Sequence, residues 1–188
     1  TNSPGKGKKN HDYTAFVSDK GSSRKGWLSI NHETVPGGVS LLDIHLDTTE
    51  RWKVDASQAM DFSEFVKTES NCSGGISHWE THFTCEETTV LGDEDGDGYE
   101  DVGWIVEMDP KQKKVIAKHW AMGRMSHENV HIMPDSITAY YGEDHPTGNV
   151  YKFVADDKMD MSSGTLYVLK LDGEMIDLEP SVSSAKWI

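Results

Sequence analysis

Several things are scarce or missing in this chain. No run of about 18 apolar residues occurs, so no segment is long enough to cross a bilayer as a helix. Basic residues are outnumbered, 18 Lys and Arg against 32 Asp and Glu, and the resulting net charge of -14 would repel nucleic acid or an anionic membrane. No G-x-S-x-G elbow is present and the serines and histidines form no specific triad, which ranks a nucleophilic hydrolase third among the readings below. Only two cysteines occur, Cys72 and Cys85. No clean internal repeat and no dividing linker is found. The first residues, TNSPGKGKKNHDY, are polar and basic with no apolar centre, so no signal peptide is read there; a mature or truncated chain would look the same.

What is present reads as an all-β chain. A length of 188 residues suits one domain with a real core. Short runs separated by turn residues suit a sandwich, barrel or propeller better than alternating βα units. The runs are GWLSIN, GVSLLDIHL, HWETHFTCEE, VGWIVEMD, KVIAKHWAMG, SITAYYG, GNVYKFVAD and GTLYVLKLD. One short helix is expected within SQAMDFSEFVKTES, where Phe62, Phe65 and Val66 fall at helical spacing behind a cap at Ser57 or Asp61.

Acidic residues are concentrated in GDEDGDGYED. Asp93, Asp95 and Asp97 alternate, Gly98 follows, and Asp101 comes four residues after Asp97, the opening pattern of a calcium loop. The closing glutamate of an EF-hand is absent, since Trp104 stands there and Glu107 comes too late. The following segment also reads as a strand. The spacing favours a calcium-binding turn; the alternative is an acidic hairpin tip left in water.

Other chemistry-bearing residues fall at or beside strand ends. Cys72 and Cys85 allow either a disulfide or one structural and one metal-bound thiol. On a strand, Cys85 and Glu87 share one face and Glu86 the other, so a thiolate beside a carboxylate can hold a transition metal. A buried cysteine flanked by solvated glutamates is the plainer reading. GRMSHENV adds Arg124, His127 and Glu128; NHE adds Glu33; GEDH adds Asp144 and His145. In a propeller or barrel, such ends converge on one opening.

The succession NHDYTAF, LSINHE, NCSGGISHWETHFTCEE, GWIVEMDP, GRMSHENV, YYGED, GNVYKFVAD and GTLYVLKLD resembles the PhoX-type alkaline phosphatase family, in the same order, from about His11 to Asp172. The resemblance implies a secreted or periplasmic bacterial β-propeller that holds calcium and ferric iron and hydrolyses phosphomonoesters. By motif it implies Cys85 as iron ligand, with Glu86, Glu87, Glu128 and Asp144 as iron or calcium ligands. Arg124 becomes a phosphate contact, and Glu33 and Glu107 further members. Cys85, Glu128 and Arg124 are the residues expected to carry catalysis.

Two departures qualify the transfer. The family's Thr-Pro-Trp-Gly-Thr stands here as Ser77-His78-Trp79-Glu80-Thr81, without the rigid proline and the permissive glycine. Family members are also much longer. A polar segment at residues 1–12 and a propeller portion at 13–188 are therefore expected, an incomplete ring whose open edges invite a second chain, a second fragment or another copy. The rival reading is a calcium-stiffened extracellular binding or assembly module without turnover.

Overall fold

The computed structural model describes residues 9–172 and 184–188. Nearly all of it is antiparallel strand, in three sheets. The first contains β1 (His11–Ser18), β2 (Lys25–His32), β3 (Gly38–Leu46) and β4 (Trp52–Ala59), paired in that order. The second contains β5 (Asn71–Ile76), β6 (His82–Glu86), β7 (Ile105–Asp109) and β8 (Lys114–Lys118). The third runs through β9 (His127–Ile132), β10 (Thr138–Glu143), β11 (Val150–Asp157), β12 (Asp160–Asp172) and β13 (Ser184–Trp187). Each sheet is thus a meander in chain order, and together they form part of a β-propeller.

The meanders stack face to face. Val39, Leu41, Met60 and Phe62 pack with Val106, Met108 and Val115, filling the space between the first and second sheets. Phe83, Cys85 and Ile105 pack with Val130, Ile132, Tyr141 and Phe153, filling the space between the second and third. The leading strands meet: β5 lies against both β1 and β9. Gly75 permits the approach to β9, and Gly74 the close packing of β5 on β6. A Cβ on Gly74 would lie 2.1 Å from the Phe83 carbonyl oxygen, and one on Gly75 would lie 2.2 Å from that of Val130.

Alternation is clearest in β3, where Val39 and Leu41 are buried and Ser40 and Leu42 half-buried, while β2 buries the polar Ser29 and Asn31 and leaves Leu28 and Ile30 half-buried. Alternation does not locate β4, which is exposed along its whole length and carries Lys53 and Asp55 on an open edge. The helix expected over residues 57–70 is not formed. Ser57 lies in β4, and only a 3-10 turn, Ser63–Phe65, is helical. Asp61 Oδ1 accepts from the Ser63 N–H at 2.9 Å, and Val66 at φ 63° ends the turn. Phe62 and Phe65 are drawn to the intersheet core from a loop instead. Residues 1–8 of the expected polar segment lie outside the described residues, and β1 already begins at His11. Among the described residues, no helix is long and apolar enough to cross a membrane.

Candidate metal centre

A threefold structural repeat builds the site. Asp12, Cys72 and Glu128 each occupy the second position of the leading strand of a sheet. Glu33, Glu87 and Asp144 each stand one residue beyond the second strand of a sheet. The same backbone hydrogen bond fixes each of these carboxylates. Glu33 N donates to Asn10 O at 3.0 Å, Glu87 N to Ser70 O at 2.9 Å, and Asp144 N to Ser126 O at 3.1 Å. Every acceptor is the residue just before a leading strand. An antiparallel meander with a short first turn places the start of one strand beside the end of the next, so each sheet delivers two side chains to one end.

The side chains converge around Cys72. Ligand atoms of Cys72, Glu87 and Glu128 lie within 4.8 Å of one another, as do those of Asp12, Glu33 and Cys72. The Cys72 thiol donates to Glu128 Oε2 at 3.6 Å. Burial pushes the Cys72 thiol up, and hydrogen bonding to Glu87 and the charges of Glu128 and Asp12 add to the shift. Burial also raises the Glu87 carboxyl; the Cys72 hydrogen bond opposes this, while Glu128, Glu33 and Asp144 push it further up. A thiol among mutually repelling carboxylates, drawn from three sheets, is a donor set that fits a transition metal beside a harder cation.

Other residues singled out in the sequence have different surroundings. Cys85 is fully buried in the core between the second and third sheets, with Phe83, Ile105 and Tyr141. Both cysteines are free thiols, so no disulfide joins them. Among the described residues, Cys85 belongs to no group of three ligand atoms within 4.8 Å. Glu86 points to the opposite face and is engaged by Lys118 Nζ at 2.9 Å, Thr68 Oγ1 at 2.7 Å, and the backbone N–H groups of Gly103 and Trp104. With both oxygens occupied it is a structural anchor, correcting its assignment as a metal ligand. Glu107 is corrected likewise: it accepts from Trp79 Nε1 at 2.8 Å, Thr81 Oγ1 at 2.6 Å and His119 Nε2 at 2.9 Å. That network holds the divergent Ser77–Thr81 turn, in which Glu80 stands at φ 66°, a left-handed conformation that favours glycine.

Arg124 donates through Nε to the Val102 carbonyl and through a terminal nitrogen to that of Val90, at 2.8 and 2.7 Å. It therefore fastens the stem of the acidic loop. His127 is buried and its Nε2 faces the Gly123 carbonyl at 3.0 Å, away from an exposed ligand role. In the loop, Asp93, Asp95 and Asp101 bring carboxylate oxygens within 4.8 Å of one another. Asp97 is not in that group; its Oδ1 accepts from Tyr99 N at 2.8 Å. Asp93 accepts from the N–H groups of Gly96, Asp97 and Gly98, a turn that needs the positive φ of Gly96 and Gly98. Lys67 Nζ balances the inner side, 2.7 Å from Glu94 and 3.5 Å from Asp101.

Sequence reasoning did not single out Asp12, and it favoured Cys85 over Cys72 as the sulfur ligand. Its one usable signal for Cys72 was NCSGG, where paired glycines mark close backbone approach.

A pH prediction arises beside the cluster. Burial pulls the His82 imidazole down to about 3 from its ordinary 6.5. Because the unfolded chain binds the proton more readily, this stability is complete above pH 6.5 and is lost as pH falls toward 3. The expected loss is about 1.4 kcal/mol per pH unit below 6.5, or roughly 2 kcal/mol by pH 5. Urea midpoints at pH 7 and pH 5 should separate accordingly, and His82→Gln should reduce the difference, with buried His127, pulled down to about 4, keeping its own share.

The sequence profile described as Alkaline phosphatase PhoX matches residues 48–188. No curated protein matches the chain. Among solved structures, Pseudomonas fluorescens PhoX in complex with vanadate, a transition state analogue, is similar at TM-score 0.66 and 20% identity, over 88% of this chain. The chain spans 46% of that structure's length. With the profile matched over most of its length, the chain belongs to the PhoX alkaline phosphatase family.

Proposed function

We propose that this chain supplies the metal-binding part of a phosphomonoesterase site, with Cys72 as the thiolate ligand and Asp12, Glu33, Glu87, Glu128 and Asp144 around it. The observation that carries this is the sharing of Cys72 between two ligand groups, one with Glu87 and Glu128, the other with Asp12 and Glu33. A shared thiolate suits ferric iron, and the surplus of carboxylates suits calcium alongside it. When bound, the metals supply Lewis acidity toward a phosphoryl oxygen and activate water for attack at phosphorus. The chain's own part is to hold the ligands rigidly. Three sheets fix the carboxylates by backbone hydrogen bonds, so little reorganisation is needed as charge develops.

The all-oxygen group of Asp93, Asp95 and Asp101 suits calcium with a stabilising role. Further sheets close the ring in this reading, supplied within a longer polypeptide or by a partner chain, and the protein works in a secreted or periplasmic setting.

Elemental analysis of the purified protein, together with hydrolysis of p-nitrophenyl phosphate, tests the proposal. Iron and calcium are expected, with hydrolysis abolished by chelation and restored by adding both metals. Full activity after metal removal would reject the reading. Calcium alone, without transition metal or turnover, favours the non-catalytic module instead.

A further inference from the structure

The start of β5 departs from regular pairing. Its register with β6 slips between Asn71 and Gly74, so Cys72 and Ser73 lie in a bulge, a feature that redirects a side chain. Their carbonyl oxygens are gripped from the neighbouring sheet. Asn31, wholly buried on β2, donates from Nδ2 to the Cys72 carbonyl at 2.7 Å and to the Ser73 carbonyl at 3.1 Å. Two acceptors on the nitrogen side fix the amide orientation, so Asn31 Oδ1 accepts from His82 Nε2 at 3.0 Å. His82 is itself buried, and its Nδ1 has no hydrogen-bond partner, which places the ring proton on Nε2.

We infer that Asn31, oriented by His82, is a positioning residue that sets the Cys72 thiol against the carboxylates of the cluster, an inference that rests on the metal site proposed above. Asn31 stands two residues before Glu33 at the end of the same strand. One short segment therefore delivers a carboxylate to the cluster and also holds the backbone of the sulfur ligand on the adjoining sheet. The corresponding place in the second sheet, two residues before Glu87, is Cys85, an apolar core residue next to the third sheet. The amide at this place is specific to the junction where the sulfur enters. A leucine there would fill a similar volume but leave the bulge carbonyls and the His82 N–H without their buried partner.

Cobalt(II) titration of the metal-free full chain, read through the thiolate-to-cobalt charge-transfer band, tests the inference independently of turnover. Asn31→Leu is expected to weaken cobalt binding about tenfold or more and to diminish the band, the range for a residue that orients a ligand. His82→Leu should act in the same direction, whereas His82→Gln, which retains an N–H to donate, should keep the wild-type band. Unchanged affinity and band in Asn31→Leu overturn the inference. Should Asn31→Leu fail to fold, the two His82 variants decide, and equal behaviour of Leu and Gln overturns it. Cys72→Ser separates the two levels: a full band in that variant defeats the metal site itself, whatever Asn31 does.

Discussion

Replacing Lys118 by methionine should cost about 3–5 kcal/mol of folding stability, the range for removing one partner of a buried ion pair. Lys118 Nζ and the Glu86 carboxylate are 2.9 Å apart, with side-chain exposures of 4% and 0%. The same ammonium donates to the Lys67 carbonyl at 2.9 Å and to the Asp101 carbonyl. It thus ties the acidic loop to β6, one residue before Glu87. Burial already raises the Glu86 carboxyl against the pull of Lys118, so without the lysine this group takes up a proton or stays charged at high cost. Urea denaturation of metal-free protein measures the loss. A double variant with Glu86→Gln should recover part of it, because no unpaired charge remains. A loss below about 1 kcal/mol would show the pair to be no more than a surface salt bridge in its energetics.

The second large effect separates the two cysteines. Cys72→Ser should lower bound transition metal about tenfold or more and remove thiolate absorption, since a hydroxyl is a far poorer ligand for such a metal. Cys85→Ser should leave metal content intact and instead cost about 1–3 kcal/mol, because a hydroxyl would enter a core lined by Phe83, Ile105 and Tyr141. Metal analysis and melting curves on the two variants give opposite patterns. The reverse assignment, metal lost in Cys85→Ser and retained in Cys72→Ser, would return the sulfur ligand to the place that the family motif implied.

The two cysteines differ in where their strands place them. Cys85 packs with Phe83, Ile105 and Tyr141, whereas Glu87, two residues on, is hydrogen-bonded to Cys72 and faces the charges of Glu128, Glu33 and Asp144. Cys85 is itself the next-to-last residue of β6, yet its side chain stays between the sheets, while a residue at the leading end of a first strand reaches the opening. Cys72 reaches it because it is the second residue of β5, and Asp12 does so on β1. Glu33, Glu87 and Asp144 were legible as carboxylates after strand-like runs, and Glu128 through its place beside Arg124 and His127 in GRMSHENV. Asp12 was not, since nothing in NHDYTAF distinguishes it from any solvated aspartate.

The strands divide in the same way. β3 buries Val39, Leu41 and Ile44 and is visible as a pattern, whereas β4 is wholly exposed and β5 is mostly small or polar. The pairing of β4 and β5 supplies backbone hydrogen bonds whatever the side chains are, so they need no apolar signature.

By itself, the amino-acid order determined the all-β class, the family, and the crowding of carboxylates that calls for cations, because these depend on composition, motif order and local spacing. Tertiary structure alone decided which thiol joins them, that Glu86 and Glu107 are anchors, and that three dissimilar meanders repeat one backbone device. Those outcomes depend on which strand ends meet across sheets, and sequence separation carries no record of that distance.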